Sequence, residues 1–184
     1  MEVLPTKVDR VKGQRYTFKN RTVIWDGRLL KCEHNREKNT CKECGGASIC
    51  EHGRLRSTCK ECDSDGHLIS IMRNRVRFAL KNYTENKKCH TMEYVGCTIE
   101  ELRIHLEKQF EEGMTWENIG EWHIDHRRPC ASFNLSGEEE KHKCFHFTNL
   151  QPLWGLDNLS KGASYNEDTY DRKWNDEEGR WEDK

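Results

Sequence analysis

Two copies of one short pattern govern what the first third of this chain can become. CEHNREKNTCKEC at 32–44 and CEHGRLRSTCKEC at 50–62 agree at nine of thirteen positions with a period of 18. Each copy is nearly devoid of apolar side chains, so neither can bury a core unless an ion ties it together. Each offers Cys-x-His-x6-Cys-x2-Cys: Cys32, His34, Cys41 and Cys44, then Cys50, His52, Cys59 and Cys62. Three thiolates and one imidazole fill a tetrahedron and leave no position for water, which is the donor set of a structural zinc site. The repeat predicts two structural Zn2+ ions per chain. Whether each copy holds its own ion or the two exchange ligands stays open, because Gly45-Gly46 between them allows either. Ten cysteines in a short secreted chain would read as a disulfide framework, but six of the ten fall at metal-ligand spacing.

Charge is unevenly spread behind a formal net value of -1. Residues 1–90 carry 20 Lys+Arg against 11 Asp+Glu, a net of +9, and residues 91–184 carry the remaining 11 against 21, a net of -10. Thiolate-rich zinc sites would subtract about one charge each and still leave the first half basic. A polyanion is the expected partner. Arg54 and Arg56 project from the second knuckle as candidate phosphate contacts. In HLISIMRNRVRFALKNY, Ile69, Met72, Val76, Ala79 and Leu80 recur at helical spacing. Arg73, Arg77 and Lys81 follow one another along one side of that helix, and Arg75 widens the positive face. No apolar run approaches the roughly 18 to 20 residues of a membrane span, and the start is too charged for a signal peptide. A soluble, intracellular protein is expected.

Elsewhere the chain reads as short elements of both kinds, an α+β layout with one modest core. QRYTFKNRTVIWDGRLLK carries turn signals at Lys19-Asn20 and Asp26-Gly27 and predicts a β-hairpin arm over 1–31. The zinc module spans 32–64, and Asp63-Ser64-Asp65-Gly66 reads as a break before a basic helix and linker over 65–95. Thr98-Ile99-Glu100-Glu101 is a capping-box signature, and Ile99, Leu102, Leu106 and Phe110 extend a helix over about 99–112, stopped by Gly113. Residues 163–184 read as an acidic, partly helical tail. Cys89 and Cys97 read as packing residues, and Trp116, Trp122 and Trp154 as aromatic walls of the core.

The second chemical constellation lies in WHIDHRRP (122–129), TNLQPLW (148–154) and DNLSKG (157–162). Alternation along WHIDH puts His123 and Asp125 on one face of a strand, with His126 on the other or bent round by Pro129. Aspartate beside histidine pairs a hard-metal ligand with a proton acceptor. His123 suits either a phosphate contact or a hydrogen-bond network. Cys130, Cys144, His142 and His146 could improvise an ion site or be ordinary buried thiols and rings.

These segments, together with GMTWEN at 113–118, resemble in order the landmarks of the HNH endonucleases, the ββα-metal fold. The form with asparagine as its last landmark is similar to that of phage homing nickases and of the HNH domains of CRISPR effector nucleases. Phage and giant-virus HNH proteins are similar too, and in them basic Cys-His repeats also occur. The resemblance covers about 96–162. It implies a small ββα-metal nuclease core in which His126 is the general base, Asp125 and Asn158 bind a catalytic Mg2+ or Mn2+, and Asn149 fixes the loop that orients His126. It implies Lys161 near the scissile strand, double-stranded DNA as the substrate, and a host cytoplasmic or nuclear setting if the protein is viral. One such site cuts one strand, so a double-strand break requires a homodimer or two events. The pair of C-x2-C motifs that frames many members is absent from this region. The same residues also admit a non-cleaving nucleic-acid-binding protein on that scaffold, or an RNA- or junction-specific nuclease.

Overall fold

The computed structural model describes residues 4–19, 21–81 and 89–184. They form two compact units that divide between Ser70 and Ile71, built of helices and small sheets in the α+β manner expected.

In the first unit, β1 (Arg15–Phe18), β2 (Arg21–Trp25) and β3 (Leu30–Cys32) form an antiparallel sheet. The Asp26 carboxylate accepts the N–H groups of Arg28 and Leu29, both at 2.7 Å, and so closes the second turn. The arm is thus three-stranded, and its last strand ends in Cys32, paired with Val23. Arm and Cys-His module share a strand. Helix α1 (Ser64–Ala79) begins in this unit and continues into the second. Asp63, expected in a break, caps the helix instead, accepting the N–H of Gly66 at 2.8 Å. Gly66 packs against backbone: a Cβ there would lie 2.3 Å from Ser57 O. Close approach, and not chain flexibility, explains the glycine.

The second unit holds α2 (Thr91–Val95), α3 (Ile99–Glu107), β4 (Trp122–His126), α4 (Glu138–Phe145), β5 (Leu150–Trp154), α5 (Gly155–Lys161), β6 (Arg172–Asn175) and β7 (Arg180–Asp183). β4 pairs with β5 and β6 with β7, both antiparallel. Val76 of α1 and Leu80, just beyond its end, join Tyr94, Phe133, Leu135, Cys144, Phe145 and Trp181 in the core. The Thr98 cap forms as expected, its hydroxyl accepting Glu101 N–H at 3.2 Å while Glu101 accepts Thr98 N–H at 2.8 Å. α3 nevertheless ends at Glu107 and not near 112. Gln109 and Phe110 bond back to the carbonyls three residues earlier, which tightens and closes the helix. Phe110 thereby reaches Trp116 and Trp122, with ring centroids 5.4 and 4.9 Å away. Trp122 is fully buried and faces Trp154 across the ribbon.

The segment expected to be a partly helical tail is a β-hairpin that closes the core. Trp174 and Trp181 are directly opposed in its register, the kind of cross-strand aromatic pair that stabilises a two-stranded ribbon. Trp181 is 4% exposed, touches Phe133 and Tyr170, and donates its indole N–H to Lys143 O at 2.8 Å. Its backbone N–H goes to Thr148 Oγ1 at 2.9 Å. Trp181→Ala should therefore cost about 3–5 kcal/mol of stability, read from urea unfolding of the full chain. A loss below about 1 kcal/mol, within the range of ordinary surface changes, would mean that the hairpin is not part of the core.

Candidate metal centres and candidate active site

Each Cys-His copy gathers its own four donors: Cys32, His34, Cys41 and Cys44 form one cluster, Cys50, His52, Cys59 and Cys62 the other. The ligands are not crossed. The Nδ1 atom of His34 lies 3.9, 3.5 and 3.4 Å from the sulfurs of Cys32, Cys41 and Cys44. That of His52 lies 3.5 Å from both Cys59 and Cys62. A tetrahedron with Zn–S near 2.3 Å and Zn–N near 2.0 Å has S···N edges of about 3.5 Å, so the donors stand where one ion could take them all. Local structure repeats as well: Cys32 N–H bonds to Arg36 O and Cys50 N–H to Arg54 O, at 2.7 and 2.8 Å. Burial pushes the Cys41 thiol up to about 12, so its ionisation needs a cation close by. Both clusters could hold zinc.

The second constellation is built by β4, β5 and α5. Gly155 starts α5 hard against β4, its N–H on Glu121 O at 2.9 Å. A Cβ at Gly155 would lie 3.0 Å from that same oxygen and 3.5 Å from His123 Cε1. The helix face bearing Asn158 and Lys161 therefore lies over the strand face bearing His123 and Asp125. Asn158 Nδ2 meets His123 Nδ1 at 3.1 Å, and Lys161 Nζ reaches Asp125 Oδ2 at 2.7 Å and His126 O at 2.5 Å. Asp125 also accepts Gln151 Nε2 at 2.9 Å from the position directly opposite on β5. His123 belongs to a network, the second of its two expected roles.

Asn149 is fully buried and ties the end of β4 to its surroundings. Its Oδ1 accepts Arg128 N–H at 2.9 Å, and its Nδ2 donates to Arg128 O at 3.1 Å and Cys144 O at 2.9 Å. His126, one residue beyond Asp125, turns the other way. Its ring meets Phe145 edge-on at 5.8 Å, and its buried Nε2 has no hydrogen-bond partner among the described residues. His123 and His126 both border an open groove of about 510 Å³ with Ile71, Asn74, Arg75, Phe78 and Cys130.

Sequence reasoning had Arg75 widen the positive face of Arg73, Arg77 and Lys81, and here the structure differs. Arg73 and Arg77 are exposed, as are Lys81, Arg54 and Arg56. Arg75 is half-buried and turned to the groove, because two residues along a helix is more than half a turn. Burial lowers the proton affinity of its guanidinium, and the charges of Asp125 and Cys130 partly restore it. Arg54 spends its guanidinium on Glu61 at 3.4 Å, an exposed pair that a phosphate could displace at little cost.

The remaining sulfur and imidazole groups sort only partly as expected. Cys97 is half-buried, with its thiol pushed up to about 12 by burial, as a packing residue should be. Cys89 packs against the core as expected and also stands with Glu138 and His142 in a donor cluster. His146 bonds through Nδ1 to Thr148 Oγ1 at 2.8 Å, away from Cys130 and Cys144. Those two thiols lie 3.4 Å apart, and the third donor beside them is His126. Nothing in the spacing of 126, 130 and 144 announces this, because 144 arrives through α4, whose position depends on the core.

No family model matches the chain, and no solved structure matches it. Two proteins of Acanthamoeba polyphaga mimivirus are similar to it. Uncharacterized protein L426 is 42% identical over 97 residues, which is 52% of this chain and 42% of the relative. Uncharacterized protein L246 is 41% identical over 91 residues, 49% of this chain and 39% of the relative. The chain thus spans about two fifths of the length of these curated relatives. Among the described residues, no helix is long and apolar enough to cross a membrane.

Proposed function

We propose that this protein is a metal-dependent DNA endonuclease of the HNH type, with β4, β5 and α5 as its ββα unit and the Cys-His module as a DNA-holding arm. The observation that carries the reading is the convergence of α5 on β4: Asn158 and Lys161 bond to His123 and Asp125, while Asn149 pins the loop that follows His126. Three ordered sequence landmarks thereby supply one site.

Asp125 and Asn158 would hold Mg2+ or Mn2+. A carboxylate and an amide oxygen are hard donors of the kind those ions prefer. The ammonium of Lys161 sits on Asp125, so an ion taken there would displace it and free Lys161 for the phosphate. When bound, the ion stabilises charge on the scissile phosphate and on the leaving oxygen. Positioned by Asn149, His126 accepts the proton of the attacking water on its imidazole. Arg75 and Lys161 supply positive charge to the phosphate from either side of the ribbon end. Arg54, Arg56, Arg73, Arg77 and Lys81 hold the flanking backbone through contacts that carry no sequence information.

Supercoiled plasmid incubated with the protein and Mg2+ or Mn2+ should convert to nicked circles, and chelator should abolish the conversion. Intact plasmid under all metal conditions, with DNA still retarded on a gel, would replace this reading with that of a non-cleaving binder. Faster cutting of RNA or of branched DNA would keep the site and change the substrate.

A further inference from the structure

Outside the two Cys-His copies and the Asp125 face, His126, Cys130 and Cys144 bring three further donor atoms within 4.8 Å of one another. We propose that these three side chains form a third, soft-metal site that takes Zn2+ or an ion of similar preference. The sulfurs are 3.4 Å apart. Two thiolates on one tetrahedral ion at about 2.3 Å stand roughly 3.8 Å apart, so a few tenths of an ångström of side-chain adjustment seats the ion. Cys144 is fully buried and His126 is 5% exposed, with its Nε2 buried and unpartnered among the described residues. A buried ring nitrogen without a partner is costly, and coordination satisfies it.

Both sulfurs lose their protons when the ion arrives, because the thiolate is the form that binds metal. Two thiolates then neutralise the dication, and the softness of the donors selects zinc over magnesium. Unlike the Cys-His copies, this set has three protein ligands, which leaves one tetrahedral position for a small ligand. Cys130 and His126 also border the groove, so that ligand has a way in.

The site itself does not depend on the nuclease reading, but one consequence does. Zinc at this position occupies the ring proposed as the general base, so zinc should inhibit cutting that magnesium supports. Hard and soft ions would then set opposite states of one site through adjacent residues, Asp125 and His126.

The test is metal content of the full chain, reduced, loaded with excess Zn2+ and desalted, measured by native mass spectrometry. Wild type should carry one ion more than Cys130→Ser and one more than Cys144→Ser, with both Cys-His copies filled in all three proteins. Cobalt-loaded wild type should show stronger sulfur-to-cobalt absorption than Cys130→Ser, a readout that survives if the buried Cys144 variant folds poorly. Equal ion counts in wild type and Cys130→Ser, or a Cys130–Cys144 disulfide in the reduced preparation, would overturn the site. In a plasmid assay with Mg2+, added zinc should stop nicking by wild type and spare Cys130→Ser. Should no protein nick at all, the proposed function fails, while the ion count still decides the third site.

Discussion

Stripping zinc with a strong chelator at neutral pH is expected to unfold residues 32–62 while residues 89–184 keep their structure. The reason lies in what the first unit buries. Among its described residues the buried apolar side chains are Trp25, Cys32, Cys41, Cys50, Cys59 and Leu68, so four of six are sulfurs of the two donor clusters. Without the ion those thiols supply little transfer free energy and crowd one another. With it, binding of the size seen in zinc-finger peptides, about 10–16 kcal/mol per ion, becomes folding free energy. The second unit has its own core around Tyr94, Phe145 and Trp181 and loses none of this. Hydrogen exchange after chelation should show the amides of Cys41, Gly46 and Cys59 fully exchanged and those of β4 and β5 protected. Cys41→Ser should reproduce the effect in the first copy without chelator. Retained protection across 32–62 in metal-free protein would show that the module folds on other forces.

The second large effect separates His126 from Asp125. His126→Ala is expected to lower the nicking rate by about a hundred-fold or more, the usual scale for a general base, while DNA affinity and the magnesium concentration for half-maximal rate stay put. Asp125→Ala removes the carboxylate proposed to hold the cation and leaves the Lys161 ammonium, now 2.7 Å from Asp125, without its counter-charge. That variant should bind magnesium more weakly and recover part of its rate at high metal concentration. Nicking rates against metal concentration for both variants decide the assignment. A His126→Ala protein that cuts at the wild-type rate would remove His126 from the chemistry.

Much of the architecture was legible from local patterns. Asp26-Gly27 made its turn because a carboxylate one residue before glycine can bond the N–H groups that follow it. Thr98 and Glu101 capped α3 because a capping box is satisfied entirely within four residues. The end of α3 was not legible: Phe110 fits the helical period, yet it leaves the helix for Trp116 and Trp122, and that aromatic contact is tertiary. The acidic composition of 163–184 hid a hairpin whose signals were present, two tryptophans seven residues apart around an Asn-Asp-Glu-Glu-Gly turn. What makes it a hairpin is the surface of Phe133, Lys143 and Thr148 on which Trp181 lands.

The candidate site divides along the same line. By itself the sequence singled out the candidate residues and the two sets of Cys-His donors, while the structure showed that the sets stay uncrossed. Eight donors in two sets of four, each set within thirteen residues, have few ways to meet, and chelation is as local as a turn. Only the tertiary structure decided that Lys161 neutralises Asp125, that Arg75 faces the groove, and that His126 stands beside Cys130 and Cys144. Those pairings join β4 to α5, to α1 and to α4, elements up to 50 residues apart in the chain. Their distances are set by how the helices pack on one small core, and periodicity reports only which face of an element is buried, not what it will be buried against.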